Sequence, residues 1–447
     1  MSTSPHGIHV LGIETSCDDT GVAILRQDGN ILSNCIHSQL QQHINHGGII
    51  PMVAKEYHYE NIDHVAKRAF TESGLKSVGQ DIRAIAVTTR PGLDFSLQVG
   101  LNYARQLAKK YSKPLIPIHH MQAHALMPLL ENRSIKFPFL ALLISGGHCL
   151  LSICERYNKF HTLGTSWDGA PGELLDKIAR RIRIKNLGEP YDRLSGGAAI
   201  EMMSRRPGAD RFKYFNSCRS VPMTHRAGCN FSFSGYWGNF DKIAPVIDDL
   251  WRSDRELLLD ELGHLCGSIQ RVIFVQLFRK LQRAMMYYRM HWRHNNPTAF
   301  RHSESDPTHH LGFGIRDFES ESDHLDVVIS GGVAANSYMI ESLRSACSSD
   351  IDPGISVYSP SKKLCSDNGL MIAWNGMLRL MDTMEERNIS AVSNEDPIDY
   401  SIIECPSKMD LVKTMAKCDI GHDITKLIED ADFRLPKTLN SELKLNG

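Results

Sequence analysis

Phe137-Pro138-Phe139-Leu140-Ala141-Leu142-Leu143-Ile144-Ser145-Gly146-Gly147-His148-Cys149-Leu150-Leu151-Ser152-Ile153 reads as strand, turn, strand. The run from Phe137 to Ile144 is apolar but far too short to span a bilayer, so it is a buried strand. Ser145-Gly146-Gly147-His148 is a small polar turn. Paired glycines let a backbone close on a ligand, and a following helix N-terminus favours an anion. The idea recurs in Val327-Val328-Ile329-Ser330-Gly331-Gly332-Val333-Ala334-Ala335-Asn336. It has a relative at the start of the chain, where Ile8 to Glu14 is a strand and Val22 to Leu25 a second one. Between them lies Thr15-Ser16-Cys17-Asp18-Asp19-Thr20-Gly21, and after a turn at Gln27-Asp28-Gly29-Asn30 a third strand begins at Ile31. Such a hairpin tip offers N–H groups to phosphate and carboxylates to a metal or its water. Two glycine turns after buried strands, with an acidic hairpin, are the layout of a duplicated nucleotide-binding core.

The residues between these turns predict alternation. Val53 to Ser73 is a helix with Ala54, Tyr57, Ile62, Val65, Ala66 and Ala69 inward, Ala84 to Thr89 a buried strand, and Ser96 to Lys110 an amphipathic helix. Pro114 to Ile118 is a short strand that delivers His120. Strands alternating with helices argue a mixed α/β sheet covered on both faces. His120 and His124 are four apart, so one helix face can offer both imidazoles to a metal. With 21 histidines in 447 residues, two satisfied or solvated side chains are the alternative. The zinc-protease motif needs glutamate directly after the first histidine, and Met121 stands there. A further ligand must come from elsewhere. Pro128 predicts a kink or an end just after the pair.

A net charge of -1 excludes a polyanion-binding surface spread over the whole chain. Nucleic-acid contact would need a local patch such as Arg180-Arg181-Ile182-Arg183-Ile184-Lys185, which otherwise is a solvated helix end. The 11 cysteines include no C-x-x-C pair, which fits a reducing compartment. No signal-peptide core is visible, and no arginine precedes Arg26. Ser253 to about Met290 predicts one long helix or two, with an inward stripe of Leu258, Leu262, Leu265, Ile269, Val272, Ile273, Leu277 and Leu281. Residues 294–323 read as a polar, solvated insertion whose His294, His302, His309 and His310 suggest a second metal only weakly. Beyond Met384 the chain matches no pattern, with short helices expected at Leu411 to Met415 and Ile424 to Ile428.

The ordered set Gly12-Ile-Glu14-Thr-Ser-Cys-Asp-Asp19, Arg90-Pro-Gly-Leu93, His120-Met-Gln-Ala-His124, Leu143-Ile-Ser-Gly-Gly-His148, Asp168-Gly-Ala-Pro-Gly-Glu-Leu-Leu-Asp176-Lys177, Phe231-Ser-Phe-Ser-Gly235, Gly331-Gly-Val-Ala-Ala-Asn336 and Cys365-Ser-Asp367-Asn-Gly369 resembles the tRNA threonylcarbamoyladenosine transferases, once described as O-sialoglycoprotein endopeptidases. The likeness runs from about Ile8 to Met377, and its spelling follows the bacterial and mitochondrial branch. It implies the actin-like ATPase fold, two RNase H-like α/β domains with a ligand cleft between them. Residues 8–136 would form the first domain, 137–383 the second, and 384–447 an extension.

The resemblance also implies roles. His120, His124 and Asp367 would hold one divalent ion per subunit, zinc or iron. Leu143, Ile144, Ser145, Gly146 and Gly147 would form the phosphate-side loop, and Asp176, Gly197, Glu201, Asn336 and Ser366 would hold the substrate. Glu14, Asp18 and Asp19 are candidates for the proton acceptor. The implied reaction moves threonylcarbamoyl from threonylcarbamoyl-AMP, made by a separate synthase, to N6 of adenosine 37 in tRNAs reading codons that begin with A. A homodimer without a membrane span, working in mitochondria, is implied, with the cytoplasm as the alternative. An actin-like kinase or ATPase and a non-catalytic subunit of a tRNA-modifying complex are the rival functions. Three departures bear on substrate geometry and RNA contact. Leu194-Ser195 replaces Tyr-Pro before Gly196-Gly197, Met52 replaces glutamate, and Tyr236-Trp237 replaces Leu-Lys.

Overall fold

The computed structural model describes residues 7–45, 48–215, 221–223, 226–300, 324–347, 354–389 and 402–431. Two sheets carry the architecture. The first has the order β3-β2-β1-β4-β5, with β1 His9–Glu14, β2 Asp19–Arg26, β3 Ile31–Ser38, β4 Ala84–Arg90 and β5 Leu115–His119. The second has the order β10-β9-β6-β7-β8-β11, with β6 Phe139–Ile144, β7 Cys149–Arg156, β8 Lys159–Thr165, β9 Leu325–Ser330, β10 Ile355–Tyr358 and β11 His422–Asp423. In each, two antiparallel hairpin partners lie on one side of the founding strand and two parallel strands on the other. The two plans are copies, which is the duplicated actin-like fold that the resemblance implies. β1, β4, β6 and β9 are buried along their whole length. Layers on both faces of a parallel core demand such continuous apolar strands.

Helices cover both sheets. They include α1 Pro51–Ser73, α2 Asp94–Tyr111, α3 His120–Glu131, α4 Pro171–Arg181, α5 Gly196–Met203, α6 Arg255–Tyr287, α7 Ser337–Cys347 and α8 Gly369–Ile389. Helix α1 starts on Pro51, which has no N–H to lose, and stops at Gly74 in the left-handed region. Its inward residue near the start is His58 rather than Tyr57, which stays half-buried. His58 Nδ1 meets Thr20 Oγ1 at 2.7 Å and Nε2 meets the Cys17 carbonyl at 3.0 Å, so the helix holds the hairpin tip. Helix α6 is one helix, capped by Asp254, with its predicted stripe wholly buried.

Two helices cross between the sheets. Helix α3 follows the first sheet but also packs on β6 and β9, while α8 follows the second and packs on β1, β2, β4 and α3. That close approach needs glycine. A Cβ on Gly12 would fall on Gly369 O and Ala373 N, and one on Gly21 would lie 2.6 Å from Gly369 N. The helix does not end at Pro128, because α3 runs on to Glu131. Proline costs one bond, to the His124 carbonyl, and complete burial of Leu126, Met127 and Leu129 outweighs it.

The segment 402–431 is a strap over both sheets. Ile403 pairs with Leu115, β11 adds an edge to β8, and α9, Thr425–Asp430, packs against β8. The helix predicted at Leu411 to Met415 is absent. Met415 N donates to Thr89 O instead, and Thr414 Oγ1 donates to Asp94. The helix near Ile424 is present as α9. Residues 297–300 form a turn that buries Ala299 and Phe300, so this part of the polar insertion is packed rather than solvated. His302, His309 and His310 of the weak second-metal reading lie outside the described residues. No helix among the described residues is long and apolar enough to cross a membrane.

Candidate active site

The crossing helices bring three distant side chains to one point. His120 and His124 stand one turn apart at the start of α3, with ring centroids 4.6 Å apart at 90°. Asp367 precedes α8, and its Oδ1 lies 3.0 Å from His124 Nε2 and 3.5 Å from His120 Nε2. Among the described residues, these three place ligand atoms within 4.8 Å of one another. Two imidazoles and one carboxylate suit zinc or ferrous iron. His120 Nδ1 lies 3.2 Å from Glu14 Oε2 and 3.1 Å from Ser16 Oγ. A carboxylate only accepts, so Nδ1 carries the proton and Nε2 is left for an ion.

Glu14 is therefore a support. It is fully buried, accepts from Ser16 N and Thr88 Oγ1 at 2.5 Å each, and sits behind His120 rather than facing the cleft. Burial would raise its carboxyl, but His120 outweighs that and lowers it. Burial likewise opposes charge on His120, yet Asp367 and Glu14 lift it to about 9. Asp367 is held far down, because His120 and His124 overcome its burial. Asp18 and Asp19 are different. Burial and then Asp367 push Asp18 up, and burial and then Asp18 push Asp19 up to about 7. Four acids, Glu14, Asp18, Asp19 and Asp367, lie close enough to act on one another, with histidines as counter-charges. A divalent ion at the triad would relieve that crowding and pull both aspartates down. The donor set and the acid excess thus fit a metal. Glu14→Gln keeps the shape of the support and removes its charge. We expect metal affinity to fall about 10- to 100-fold, read by chelator competition.

The predicted phosphate loop is only partly open. Leu143 and Ile144 are fully buried in β6, so their side chains reach no ligand. Ser145 N donates to His148 O at 2.8 Å, and Ser145 O and Gly146 O accept from Gly172 N and Glu173 N of α4. The first amides of α4 are therefore spent on the turn, not kept for an anion. Gly146 and Gly147 are exposed, with open space on the Cβ side. His148, which sequence reading used only as a branch marker, faces the triad. Burial and the charge on His120 push it down to about 4.

The remaining predicted substrate residues fall into two groups. Asp176 Oδ1 accepts from Gly197 N at 3.2 Å at the start of α5, and burial raises its carboxyl. Asp176 and Asp18 line one cavity of about 330 Å³ between the sheets, with Lys185 and Gly196. Glu201 and Asn336 meet at the start of α7. Glu201 accepts from Ser337 N, while Asn336 accepts from Met339 N and donates to Gln270. Both act there as caps for α7. Ser366 is exposed beside Asp367.

The strap reaches this centre from behind. His119, the N-cap of α3, accepts from Met121 N through Nδ1, so its Nε2 donates to Asp419 O at 3.1 Å. Burial, then Arg90, push it down to about 3 and keep it neutral. Gln122 donates to Ile420 O at 3.0 Å and accepts from Arg379 of α8 at 2.8 Å. Helix α3, helix α8 and the strap are thereby clasped between His120 and His124.

Comparison with known proteins follows the same lines. The family model TsaD, tRNA N6-adenosine threonylcarbamoyltransferase, matches residues 30–374. A curated relative from Homo sapiens is 35% identical over 96% of this chain and 90% of its own length, and one from Xenopus tropicalis is 34% identical over 95% and 91%. Both are named tRNA N6-adenosine threonylcarbamoyltransferase, mitochondrial. Among solved structures, the (R)-2-hydroxyglutaryl-CoA dehydratase component A of Acidaminococcus fermentans superposes with a TM-score of 0.45 at 11% identity, over 84% of this chain and 99% of that one.

Proposed function

The chain belongs to the tRNA N6-adenosine threonylcarbamoyltransferase family, and on that premise we propose that it takes the threonylcarbamoyl group from threonylcarbamoyl-AMP and places it on N6 of adenosine 37 in mitochondrial tRNAs. The observation that carries the reading is the convergence of His120, His124 and Asp367 on one point. An ion there, zinc or iron, would be held by those three residues and would polarise the acyl carbonyl.

The residues of the chain supply the rest. The N6 amine attacks the carbonyl carbon, a C–N bond forms, and the C–O bond to AMP breaks. Exposed Gly146 and Gly147 amides face the charge on the departing phosphate. Asp18 and Asp19 are the carboxylates beside the centre that remain for the N6 proton, since Glu14 is enclosed behind His120. An exocyclic amine is a poor nucleophile, so holding an unstacked loop base in place supplies much of the rate. A separate synthase would supply the adenylate, tRNAs reading codons that begin with A would be the acceptors, and the protein would act as a homodimer.

Nucleoside analysis of tRNA after removing the protein tests this. Mitochondrial tRNAs should lose the threonylcarbamoyl modification while cytosolic tRNAs keep it. In vitro, the purified protein with the adenylate should put threonine label into tRNA. Phosphate release from ATP alone, with no label in tRNA, would overturn the reading in favour of a kinase-like ATPase.

A further inference from the structure

Two motifs stand outside the metal centre: Asp168 to Lys177 and Phe231 to Gly235. The structure joins them. Asp168 accepts from Phe233 N at 2.6 Å, Ser234 N at 3.0 Å, and the hydroxyls of Ser232 and Ser234 at 2.7 Å each. This clasp forms the floor of an open cavity of about 1020 Å³. Its walls include Trp237, Lys177 and Arg180. The cavity adjoins the catalytic turn, because its wall helix α4 donates Gly172 N and Glu173 N to Ser145 and Gly146. Arg180 also lines the inter-sheet cavity that holds Asp176 and Asp18. Arg180 thus lines both spaces.

The structure assigns this cavity to the tRNA, as the pocket that receives a nucleotide neighbouring the target adenosine, with Trp237 stacking on its base and Arg180 meeting the backbone phosphate. The assignment rests on the transferase reading. A base placed in the cleft is unstacked from its loop, so its neighbours must lie against the adjoining surface. Trp237 offers that surface a broad ring, supported by Phe240 at 5.3 Å between centroids. Stacking on an aromatic ring tolerates any base. The rest of the basic run does not compete for this role. Arg181 and Arg183 both bind Asp248, and Lys177 pairs with Glu173 at 2.7 Å. Trp167, 56% exposed one residue before Asp168, lies under the Arg226 guanidinium at 5.1 Å and is a second exposed ring close in sequence to the clasp. A neutral indole releases no counterion on stacking, so the contact proposed for Trp237 is one that salt barely touches.

The test is binding of an anticodon stem-loop RNA to metal-loaded protein over a range of salt. Trp237→Ala should weaken binding about tenfold. Its slope of log affinity against log salt should match wild type, and AMP binding and metal content should not change. Trp237→Phe should stay within about twofold of wild type. Should Trp237→Ala unfold, Trp237→Leu keeps the packing on Phe240 and should show the same loss of RNA binding. Arg180→Ala should lower the salt slope by about 0.7. Wild-type affinity in the folded alanine or leucine variant overturns the pocket alone. Wild-type protein that neither binds the stem-loop nor labels tRNA overturns the transferase reading beneath it.

Discussion

Replacing His120 with alanine should abolish metal binding and transfer together. The imidazole is 5% exposed and sits between Glu14 on one side and Asp367 on the other. Its loss removes one of three ligands and the group that turns the support toward the ion. The fall in metal affinity should exceed the roughly 10- to 100-fold that follows loss of an outer partner. There is a stability cost as well. In the metal-free protein the buried Glu14 and the partly buried Asp367 lose the His120 cation that they share, and breaking a buried pair in this way costs about 3–5 kcal/mol. Asp367→Asn separates the effects, because it keeps the shape and removes one buried charge. It should lose metal and activity with the smaller loss of stability. Metal content by native mass spectrometry and threonine label in tRNA are the two measurements. An active His120→Ala protein without metal would end the assignment.

Gly12→Ala should be among the most damaging single methyl additions in the described residues. The new Cβ meets backbone, Gly369 O and Ala373 N, and neither can rotate away. Helix α8 must lift from β1, and Asp367, two residues before Gly369, lifts with it. Overpacking of this kind costs about 1–3 kcal/mol, and more where only backbone can yield. We expect a clear fall in denaturation midpoint and weaker metal binding in the protein that still folds. Gly238→Ala is the control, since nothing lies within 4 Å of its Cβ position, and it should change stability by less than about 0.5 kcal/mol. Equal stability of the two variants would show that α8 does not depend on the glycine trough.

The sheets were legible because burial on both faces leaves a simple mark, an unbroken apolar run such as Phe139 to Ile144. The histidine pair was legible from its spacing, and Asp367 from the family resemblance, since nothing local marks an aspartate as a ligand. Glu14 was visible as a residue but not as a support, because its task depends on His120, which is 106 positions away. His58 was hidden for a similar reason. It sits at an inward helical position that favours apolar residues, and only the hairpin tip explains it. The strap was legible only at the helix of Ile424 to Ile428, because Ile403, Met409, Val412 and Ile420 before it fill separate pits along a mostly irregular path. Such a path has no period to detect.

That strap also sets an order of events. Ile403, Met409 and Val412 complete the core beneath the first sheet, Ile420 joins the core between the sheets, and Ile424 and Ile428 complete the second. The residues that finish both cores are thus made after all the strands they cover except β11. During synthesis, or while the chain threads through a translocation pore in the N-to-C direction, neither domain can close fully until residues 402–431 emerge. A product stopped before Ile403 would carry His120, His124 and Asp367, yet expose apolar pits in both domains. Quality-control proteases should remove it before it binds metal, so late nonsense mutations should behave as null alleles.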